Sequence, residues 1–469
     1  MRQGAIDLIV IGGGPAGLLA AITAARRGRR VVLLERLPRP GAKLLASGGG
    51  RCNLTNTLPL AAFQERFGKT GRFLGPALAA FDQAALVEFL AALGVPCHAP
   101  DGFHVFPVSH RASDVLEALL AETVRLGITV LAGRRVDRVQ VLTASSGNRP
   151  AAGRGAPPAA QADSLDRRAD SLPDLAPRPE GGLPACRQEA GAPFLVGAGE
   201  DHWLASQVVL ATGGKGYPDL GTEGDGYALA AALGHAIAPP FPAMLPLRVR
   251  EPWVGRCRAD TIGKAVVRLV RSRGRPVQAT GDLIFTADGI RGPVVLDLAR
   301  DITPRLATDG EVPIEVSLTQ GRNEEEVRGI IEAARRRRPE ATWLDLLEEL
   351  VPRPLGRELC VLAGVDPGWR YRQTPGAARD RLLKQLVWTP LTVIGHGGFA
   401  QAMVTRGGVR LTEVDPATLA SRLVPGLFFA GEVLDVDGPC GGFNLQWAFS
   451  SGFLAGHLGD TPARRRPPR

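Results

Sequence analysis

A glycine-rich turn near the start of the chain has the spacing of a dinucleotide-binding loop. The turn, Gly12-Gly13-Gly14-Pro15-Ala16-Gly17, fits the pattern G-x-G-x-x-G. It follows the apolar run Ile6 to Ile11, which is typical of a buried parallel strand, and it leads into an alanine-rich helix from Leu18 to Arg27. A strand, a tight glycine turn and a helix together form the setting in which this motif indicates nucleotide binding.

Three of these glycines have separate physical roles in such a turn. Gly12 permits the tight turn, Gly14 lets a pyrophosphate approach the backbone, and Gly17 allows the helix to pack closely on the strand. The N-terminus of the helix faces the phosphate charge. Glu35 follows the next expected strand, Val31 to Leu34, and can accept hydrogen bonds from the ribose hydroxyls of an adenosine.

Two later segments favour FAD over NAD as the tightly bound cofactor. Val208 to Gly214 resembles the strand-then-ATG segment of two-domain flavoproteins, and Gly426 to Glu432 resembles their late strand. The acidic residue of that strand, Glu432, is expected to hold the ribityl chain. Gly441 to Asn444 precedes the last expected helix, whose N-terminal dipole can stabilise negative charge at N1 of a reduced flavin.

A longer block, Gly41 to Asn56, reads GAKLLASGGGRCNLTN and is highly specific. Together with Thr212 to Gly226, Phe285 to Pro293 and Thr405 to Gly452, it resembles the BaiN/RdsA-type NAD(P)/FAD-dependent oxidoreductases, some of which are labelled aminoacetone oxidase family FAD-binding enzymes. The resemblance covers nearly the whole chain. It implies an FAD domain that is split in sequence around a β-barrel-like domain and a small helical domain, with the substrate cleft between them.

Two segments depart from the family pattern. Arg291 stands where the family more often has a small residue. Gly395 to Ala400 imitates the pattern G-x-G-x-x-A after a strand, but no helix and acidic-ended strand follow it in the sequence. We therefore expect no second dinucleotide fold, and a reduced nicotinamide, NAD(P)H, would dock only transiently.

The expected fold class is α/β, with a Rossmann-like FAD-binding domain of the two-domain flavoprotein type, an inserted β-barrel-like domain and a small helical subdomain. The expected boundaries are 1–144, 194–240 and 395–460 for the FAD-binding domain, 145–193 for a disordered Pro/Ala/Gly/Arg-rich insertion, 241–394 for the substrate domain with its helical part at about 320–390, and 461–469 for a basic tail.

Apolar periodicity also predicts individual helices. The expected helices are Pro76 to Leu93, Ala112 to Leu126, Asn323 to Arg338, Ala341 to Val351 and Leu445 to Leu458.

The predicted site combines a proton donor with a set of cofactor contacts. Cys52 lies in the glycine-rich block near the expected flavin and is the first choice as proton donor, although a structural role is an equal alternative. No second cysteine lies near it in the sequence, which disfavours a dithiol mechanism, and the sequence favours Cys52 over Cys440. Asn56, Asp435 and Asp437 are further candidates for the cleft. The expected cofactor contacts are Gly12, Gly14, Pro15, Ala16, Gly17, Glu35, Lys43, Gly50, Arg51, Cys52, Asn53, Thr212, Gly213, Gly431, Glu432, Gly441, Gly442, Phe443 and Asn444.

Composition limits the partners. The chain has 469 residues, 45% hydrophobic and 22% charged, which is close to the average of globular proteins and excludes a fibrous or wholly disordered chain. Its net charge of +9 comes mostly from arginine, and the run Arg335 to Arg338 is interpreted as a solvated helix face. The six cysteines have no metal-ligand spacing, and no signal peptide or membrane span is evident, so we expect a cytoplasmic protein without a metal.

These observations favour a cytoplasmic FAD-dependent oxidoreductase. The resemblance implies that NAD(P)H reduces the flavin and that an activated C=C bond is reduced in turn, either in an enone-like small molecule or in a uridine of ribosomal RNA. One alternative is an FAD-dependent amine oxidase that acts on an aminoacetone-like substrate and uses oxygen. Another alternative is an RNA-binding flavoprotein in which FAD is structural.

Overall fold

The computed structural model describes residues 6–142, 193–270 and 277–460. The expected disordered insertion, 145–193, lies outside the described residues except for its last position, and the basic tail, 461–469, lies outside them as well. The buried apolar side chains of the described residues form two hydrophobic cores.

The strands are short, and most of them belong to one of two sheets. In chain order they are β1 (Ile6–Ile11), β2 (Val31–Leu34), β3 (Thr55–Asn56), β4 (Cys97–His98), β5 (His104–Pro107), β6 (Thr129–Leu131), β7 (Arg138–Val141), β8 (Phe194–Ala198), β9 (Asp201–Leu210), β10 (Ile237–Ala243), β11 (Leu247–Val249), β12 (Thr261–Leu269), β13 (Gln278–Phe285), β14 (Gly289–Arg291), β15 (Val312–Ser317), β16 (Thr389–His396), β17 (Val404–Val409) and β18 (Leu427–Phe429).

The helices cover both sheets. They are α1 (Pro15–Arg26), α2 (Ala42–Ala46), α3 (Leu60–Glu65), α4 (Gly71–Ala80), α5 (Gln83–Ala92), α6 (Ala112–Arg125), α7 (Asp225–Ala232), α8 (Pro293–Asp309), α9 (Glu324–Arg337), α10 (Trp343–Leu347), α11 (Arg353–Ala363), α12 (Gly376–Val387) and α13 (Phe443–Ala455).

The first core surrounds a seven-stranded sheet with the order β6-β2-β1-β9-β8-β7, in which β18 also pairs with β9. Strands β6, β2, β1, β9 and β18 are parallel, whereas β7 and β8 form antiparallel pairs. The carboxyl ends of the parallel strands meet at one edge, which is where ligands bind in open α/β sheets. The residues that follow four of these strands therefore gather at that edge: Gly12, Glu35, Thr212 and Glu432.

Helices α1 and α13 pack closely against each other because glycine lies at their contact. A β-carbon on Gly452 of α13 would overlap the carbonyl oxygen of Ala16, and one on Gly456 would lie 2.6 Å from the carbonyl oxygen of Ala20. The two helices can therefore approach backbone to backbone, which holds the start of α1 and the start of α13 at the same edge of the sheet.

The second core belongs to a closed barrel with the order β11-β14-β13-β12-β15-β16 and to the helices that cover it. Helix α8 packs on the barrel, and α9 to α12 form the helical unit. Strands β10 and β17, which lead into and out of this part of the chain, pair with each other in antiparallel fashion. The expected barrel-like domain with a helical subdomain is confirmed as a fold.

Two expected helices differ in the structure. The helix predicted from Pro76 to Leu93 is wrong as one element, because α4 ends at Ala80 and α5 begins at Gln83. The carboxylate of Asp82 accepts a hydrogen bond from the backbone N–H of Ala85 at 2.8 Å and starts a new helix there. The helix predicted from Ala341 to Val351 is also too long, since α10 covers only Trp343–Leu347.

Within the described ranges, the helical stretch Gly68–Ala92 is long and apolar enough to cross a membrane by length and composition. It is weak evidence for a span, because the stretch is broken between α4 and α5 and contributes buried side chains to the first core. Those side chains are Leu74, Ala77, Leu78, Ala85, Leu86 and Leu90.

The segment that imitates a second dinucleotide loop ends a barrel strand. Gly395 belongs to β16, and the short 3-10 helix Phe399–Gln401 follows, leading directly into β17. Within the described residues, this turn therefore connects a barrel strand to the strand that leaves the barrel.

Candidate active site

A cavity of about 590 Å³ lies at the carboxyl edge of the parallel strands and extends to residues beside the barrel. The expected contacts that line it are Gly12, Gly14, Pro15, Ala16, Glu35, Lys43, Asn53, Thr212, Gly213, Gly431, Glu432, Gly441, Gly442 and Asn444. The expected contacts outside its lining are Gly17, Gly50, Arg51, Cys52 and Phe443. The structure thus brings most of the predicted set together around one space.

The glycine turn has the geometry that a pyrophosphate requires. Gly12 has a φ of +106°, and a β-carbon on it would overlap the carbonyl oxygen of Ala211. A β-carbon on Gly14 would meet no described atom within 4 Å, so this residue faces open space. Helix α1 begins at Pro15 and leaves its first N–H groups directed toward the cavity. Gly17 does not line the cavity, but it packs against Gly12, as its expected role in helix packing requires.

Glu35 connects the glycine turn to the end of β2. Its Oε2 accepts a hydrogen bond from the backbone N–H of Gly13 at 2.7 Å, and its Oε1 accepts one from Leu37 at 2.8 Å. The side chain is buried and lines the cavity. The carboxylate therefore fixes the glycine turn in place, a role that the sequence did not predict, in addition to its position for ribose hydroxyls.

Lys43 and Glu432 form an ion pair in the cavity wall. Lys43 Nζ lies 2.8 Å from Glu432 Oε2, and the backbone N–H of Thr405 donates to Glu432 Oε1 at 2.8 Å. This pair joins the Gly41 to Asn56 block to the end of β18, across 389 positions of sequence. Glu432 is thus held from two sides at the position where the sequence predicted a contact to a ribityl chain.

The start of α13 is fixed against the Gly41 to Asn56 block. Asn56 donates from Nδ2 to the carbonyl oxygen of Gly441 at 2.9 Å, and a β-carbon on Gly442 would lie 2.6 Å from the backbone of Thr55. Asn444 accepts from the backbone N–H of Gly438 at 2.8 Å. The N-terminus of α13 therefore opens on the cavity in a fixed orientation, as a site for negative charge requires.

The two cysteines of this region occupy different positions. Cys52 is fully buried, has a φ of +62° and is not among the described residues of the cavity wall. Burial raises the pKa of its thiol to about 12. Cys440 does line the cavity, and burial together with the nearby Asp297 carboxylate raises the pKa of its thiol. The structure thus places Cys440, rather than Cys52, at the cavity.

Charged residues of α8 contact the segment that precedes α13. The backbone N–H of Cys440 donates to Asp297 Oδ1 at 2.7 Å, and Arg300 Nε lies 2.9 Å from Asp437 Oδ2. Burial raises the pKa of both Asp297 and Asp437. Asp435 and Asp437, two candidates for the cleft, lie behind the wall, and the cavity is lined by the intervening Val436.

Sequence reasoning missed two groups of cavity residues. At one end, Arg36 pairs with Glu223 at 2.6 Å and Arg135 pairs with Asp225 at 2.6 Å. Arg36 directly follows Glu35, and this was the one sequence feature that could have indicated Arg36 as a cavity residue. At the other end the missed residues are apolar or aromatic and come from distant segments: Tyr217, Met244, Leu296 and Met403.

Three of the missed residues gather beside the start of α13. The Asn444 amide lies 3.5 Å from the sulfur of Met244, and the backbone N–H of Met403 donates to the carbonyl of Met244 at 3.2 Å. Leu296 precedes Asp297, which bonds Cys440. The cavity therefore has an apolar end next to the turn that precedes α13.

The described residues contain no group of three or more His, Cys, Asp or Glu side chains that could hold a metal ion.

Comparisons with known proteins identify relatives along most of the chain. The family model described as the HI0933-like protein Rossmann domain matches residues 6–149 and 183–458. The chain is 32% identical over 452 residues to a 3-dehydro-bile acid delta(4,6)-reductase of Clostridium scindens, covering 95% of this chain and 97% of that one. It is 27% identical over 445 residues to a ribosomal RNA dihydrouridine synthase of Haemophilus influenzae, covering 95% and 96% of the two chains. Among solved structures, the open conformation of a flavocytochrome c3 fumarate reductase is similar with a TM-score of 0.47 and 17% identity, covering 98% of this chain and 79% of that one.

Proposed function

The chain belongs to the HI0933-like Rossmann family of flavoprotein oxidoreductases, and from this premise we propose that it is an FAD-dependent, NAD(P)H-dependent cytoplasmic reductase of an activated C=C bond in a small, largely apolar molecule. The observation that carries the choice of substrate class is the apolar end of the cavity beside the start of α13, formed by Met244, Leu296 and Met403. A 32% identical relative whose name describes the reduction of a bile acid supports the same choice.

The described cavity residues fit FAD. The open face of Gly14 and the N-terminus of α1 would receive the pyrophosphate, Glu35 the ribose, and the Lys43–Glu432 pair the ribityl chain. The N-terminus of α13 would face the flavin ring. When bound, FAD supplies the acceptor and donor of hydride, and the protein supplies position, shielding from water and a proton.

We propose the two cores as two functional units. The expected FAD-binding part, 1–144, 194–240 and 395–460, whose described residues supply the first core, would hold FAD, and the part from 241–394 would close over the substrate. A nicotinamide would dock transiently in the same cleft, because the turn after β16 leads to a 3-10 helix rather than to a second nucleotide-binding helix.

The basic charge of the chain supports an RNA substrate less strongly than the apolar end of the cavity supports a small apolar substrate. In the run Arg335 to Arg338, Arg337 and Arg338 both pair with Glu349, at 2.6 Å and 2.9 Å. Arg36 and Arg135 at the cavity also pair with carboxylates. Positive charge that is already neutralised attracts a phosphate backbone weakly.

The test is an anaerobic titration of the purified yellow protein with NADPH and with NADH, followed by addition of a 3-keto-4-ene steroid or of ribosomal RNA. We expect bleaching of the flavin by a nicotinamide and rapid return of colour with the steroid, with a product two hydrogens heavier by mass spectrometry. Return of colour only with RNA, together with dihydrouridine in the RNA, would instead support the synthase activity.

Two further outcomes would contradict the proposal. Bleaching by aminoacetone and recovery in air, without any response to nicotinamides, would indicate an amine oxidase. A flavin that no donor reduces, together with salt-dependent retention on RNA, would indicate a structural cofactor.

A further inference from the structure

A carboxyl group lies directly behind the apolar end of the cavity. Asp297 is on α8, between the cavity-lining Leu296 and the rest of the helix, and its Oδ1 accepts the backbone N–H of Cys440 at 2.7 Å. Its other oxygen has no hydrogen-bond donor among the described residues, and no described cation lies within ion-pair distance of it. The group is therefore a half-buried acid whose second oxygen is not engaged by a described protein group.

The charges that face Asp297 come from two elements. Arg300, on the same helix, is engaged by Asp437 at 2.9 Å, and Arg66, just after α3, acts only from a distance. Burial raises the pKa of Asp297; the hydrogen bond from the Cys440 N–H and, after it, the attraction of the two arginines lower it, and the net shift is upward. Asp297 thus keeps its proton to a higher pH than an exposed aspartic acid.

The neighbouring thiol is coupled to this carboxyl. Cys440 lines the cavity, and a negative charge on Asp297 raises the pKa of its thiol. A negative charge on one of these acids disfavours ionisation of the other, so the pair retains a proton on the carboxyl or on the thiol more readily than two isolated acids would. A reduction that ends with the protonation of a carbon atom needs a proton donor at the cavity wall.

We propose that Cys440 and Asp297 form the proton-delivery pair of this cleft, in which Cys440 protonates the substrate and Asp297 restores the proton to Cys440. This inference rests on the proposed C=C reductase activity. Addition of a hydride to one carbon of the activated C=C bond, which bound FAD would supply, would leave on the neighbouring carbon an electron pair that the substrate carbonyl stabilises. That pair forms a new C–H bond as the S–H bond of Cys440 breaks. The O–H bond of Asp297 then breaks to reprotonate sulfur, and the carboxylate takes a proton from water.

Cys440 of the proposed pair lies where a substrate can reach it, whereas Cys52 does not. The Cys52 side chain is fully buried, and Cys52 is absent from the described cavity wall, so a proton on it has no direct path to a substrate. The contact between Asp297 and Cys440 spans 143 positions of sequence, and it forms only because α8 packs on the segment before α13.

The first test measures the coupling without any substrate. Full-length protein is alkylated with iodoacetamide over a range of pH, and the modification of Cys440 is followed by peptide mass spectrometry. Asp297→Asn keeps an oxygen for the Cys440 N–H but removes the charge, so the thiol should ionise at lower pH. We expect the alkylation rate near pH 8.5 to rise roughly threefold to tenfold, as a shift of about half to one pKa unit gives.

The matched control is Asp301→Asn, which lies about one turn further along α8 and pairs with Arg406 at 3.4 Å. It should leave the pH dependence of Cys440 alkylation unchanged. An unchanged profile in Asp297→Asn, or an equal change in both variants, would overturn the coupling.

The second test separates the two half-reactions. In Asp297→Asn and in Cys440→Ser, oxidation of the reduced flavin by the enone should slow by about a hundredfold, far more than reduction by the nicotinamide, and Asp297→Glu should recover part of the loss. Equal slowing of both half-reactions, or loss of the enone step in Cys52→Ser alone, would overturn the assignment. If the wild-type protein reduces no C=C compound, the proposed function fails, whereas the alkylation result still decides whether the two acids are coupled.

Discussion

The two ends of the cavity are built by different means. The cofactor end is built around backbone turns, in which Gly12 and Gly14 leave room and N–H groups at the start of a helix provide polarity, with the side chains of Glu35, Lys43 and Glu432 beside them. The other end consists of side chains from distant segments: Met244, Leu296 and Met403 form its surface, and half-buried or buried carboxyls lie behind them. A backbone turn such as the one at Gly12 leaves no space for an added atom, whereas a site made of side chains can be changed one contact at a time. Substitutions at the cofactor end should therefore strongly weaken cofactor binding. Substitutions at the substrate end should change the kinetics according to the contact that each one removes.

The largest effect is expected for Gly12→Ala. A β-carbon there would overlap the carbonyl oxygen of Ala211, and the φ of +106° costs a non-glycine residue about 1–3 kcal/mol even without the overlap. We expect loss of flavin and a lower melting temperature of the apoprotein, measured by absorbance at 450 nm and by thermal denaturation.

Gly14→Ala is the matched control for this comparison. Gly14 has an ordinary φ of −76° and open space at its β-carbon, so the apoprotein should melt as the wild type does. The added methyl group would lie where the pyrophosphate approaches, and flavin affinity should fall by about tenfold or more, since 1.4 kcal/mol already gives that factor. Equal destabilisation of both apoproteins would contradict the distinction between a structural and a cofactor-contacting glycine.

This difference also explains what the sequence could predict. Backbone sites can be recognised from local sequence, because a tight turn or a close approach requires glycine at fixed spacing, and the turn at Gly12 was predicted in this way. The turns at Thr212 and Gly441 were predicted together with the segments that resemble those of two-domain flavoproteins. The barrel followed from the family resemblance and from alternating apolar residues. The break between α4 and α5 was missed because the apolar pattern of the two helices runs continuously across Asp82, although an aspartate there is also a helix start signal.

The substrate end could not be predicted from local patterns. Met244 and Met403 meet because β10 and β17 pair, and in sequence each resembles an ordinary core residue. Cys52 was favoured over Cys440 because it lies in the glycine-rich block expected near the flavin, but the sequence does not determine the direction of a side chain. Its positive φ and complete burial turn it away from the cavity.

A middle-sized effect is expected for Met403→Lys at the substrate end. Met403 lines the cavity and is 40% exposed, so the fold should accept a lysine whose ammonium group reaches water. The lost apolar surface should raise KM for a steroid enone by about tenfold, which is the scale of burying part of a methionine side chain.

The control for this variant is Met403→Leu, which keeps the volume and the apolar character and should change KM by less than about threefold. Steady-state kinetics with the enone, combined with the flavin content of each protein, separate the two ends of the cavity. A Met403→Lys protein that loses its flavin but keeps KM in its remaining active fraction would assign Met403 to the cofactor end.

The smallest effect concerns the carboxyls behind the substrate end. Asp435 lies behind Val436, and burial raises its pKa although its Oδ1 accepts the N–H of Gly407 at 3.1 Å. A carboxyl whose pKa is raised by folding favours the folded state below its unfolded pKa, near 3.8, and that contribution is lost as the pH rises through the folded pKa. Asp435→Asn keeps the acceptor and removes the charge, so it should melt at a slightly higher temperature than the wild type at pH 7.5, and the two should melt alike near pH 3.5. Thermal denaturation at several pH values measures this difference. A variant that is less stable than the wild type at pH 7.5 would show that Arg406 and Arg410 compensate the negative charge of Asp435. The carboxyls at this end would then be ionised and paired with cations, and they would not hold protons.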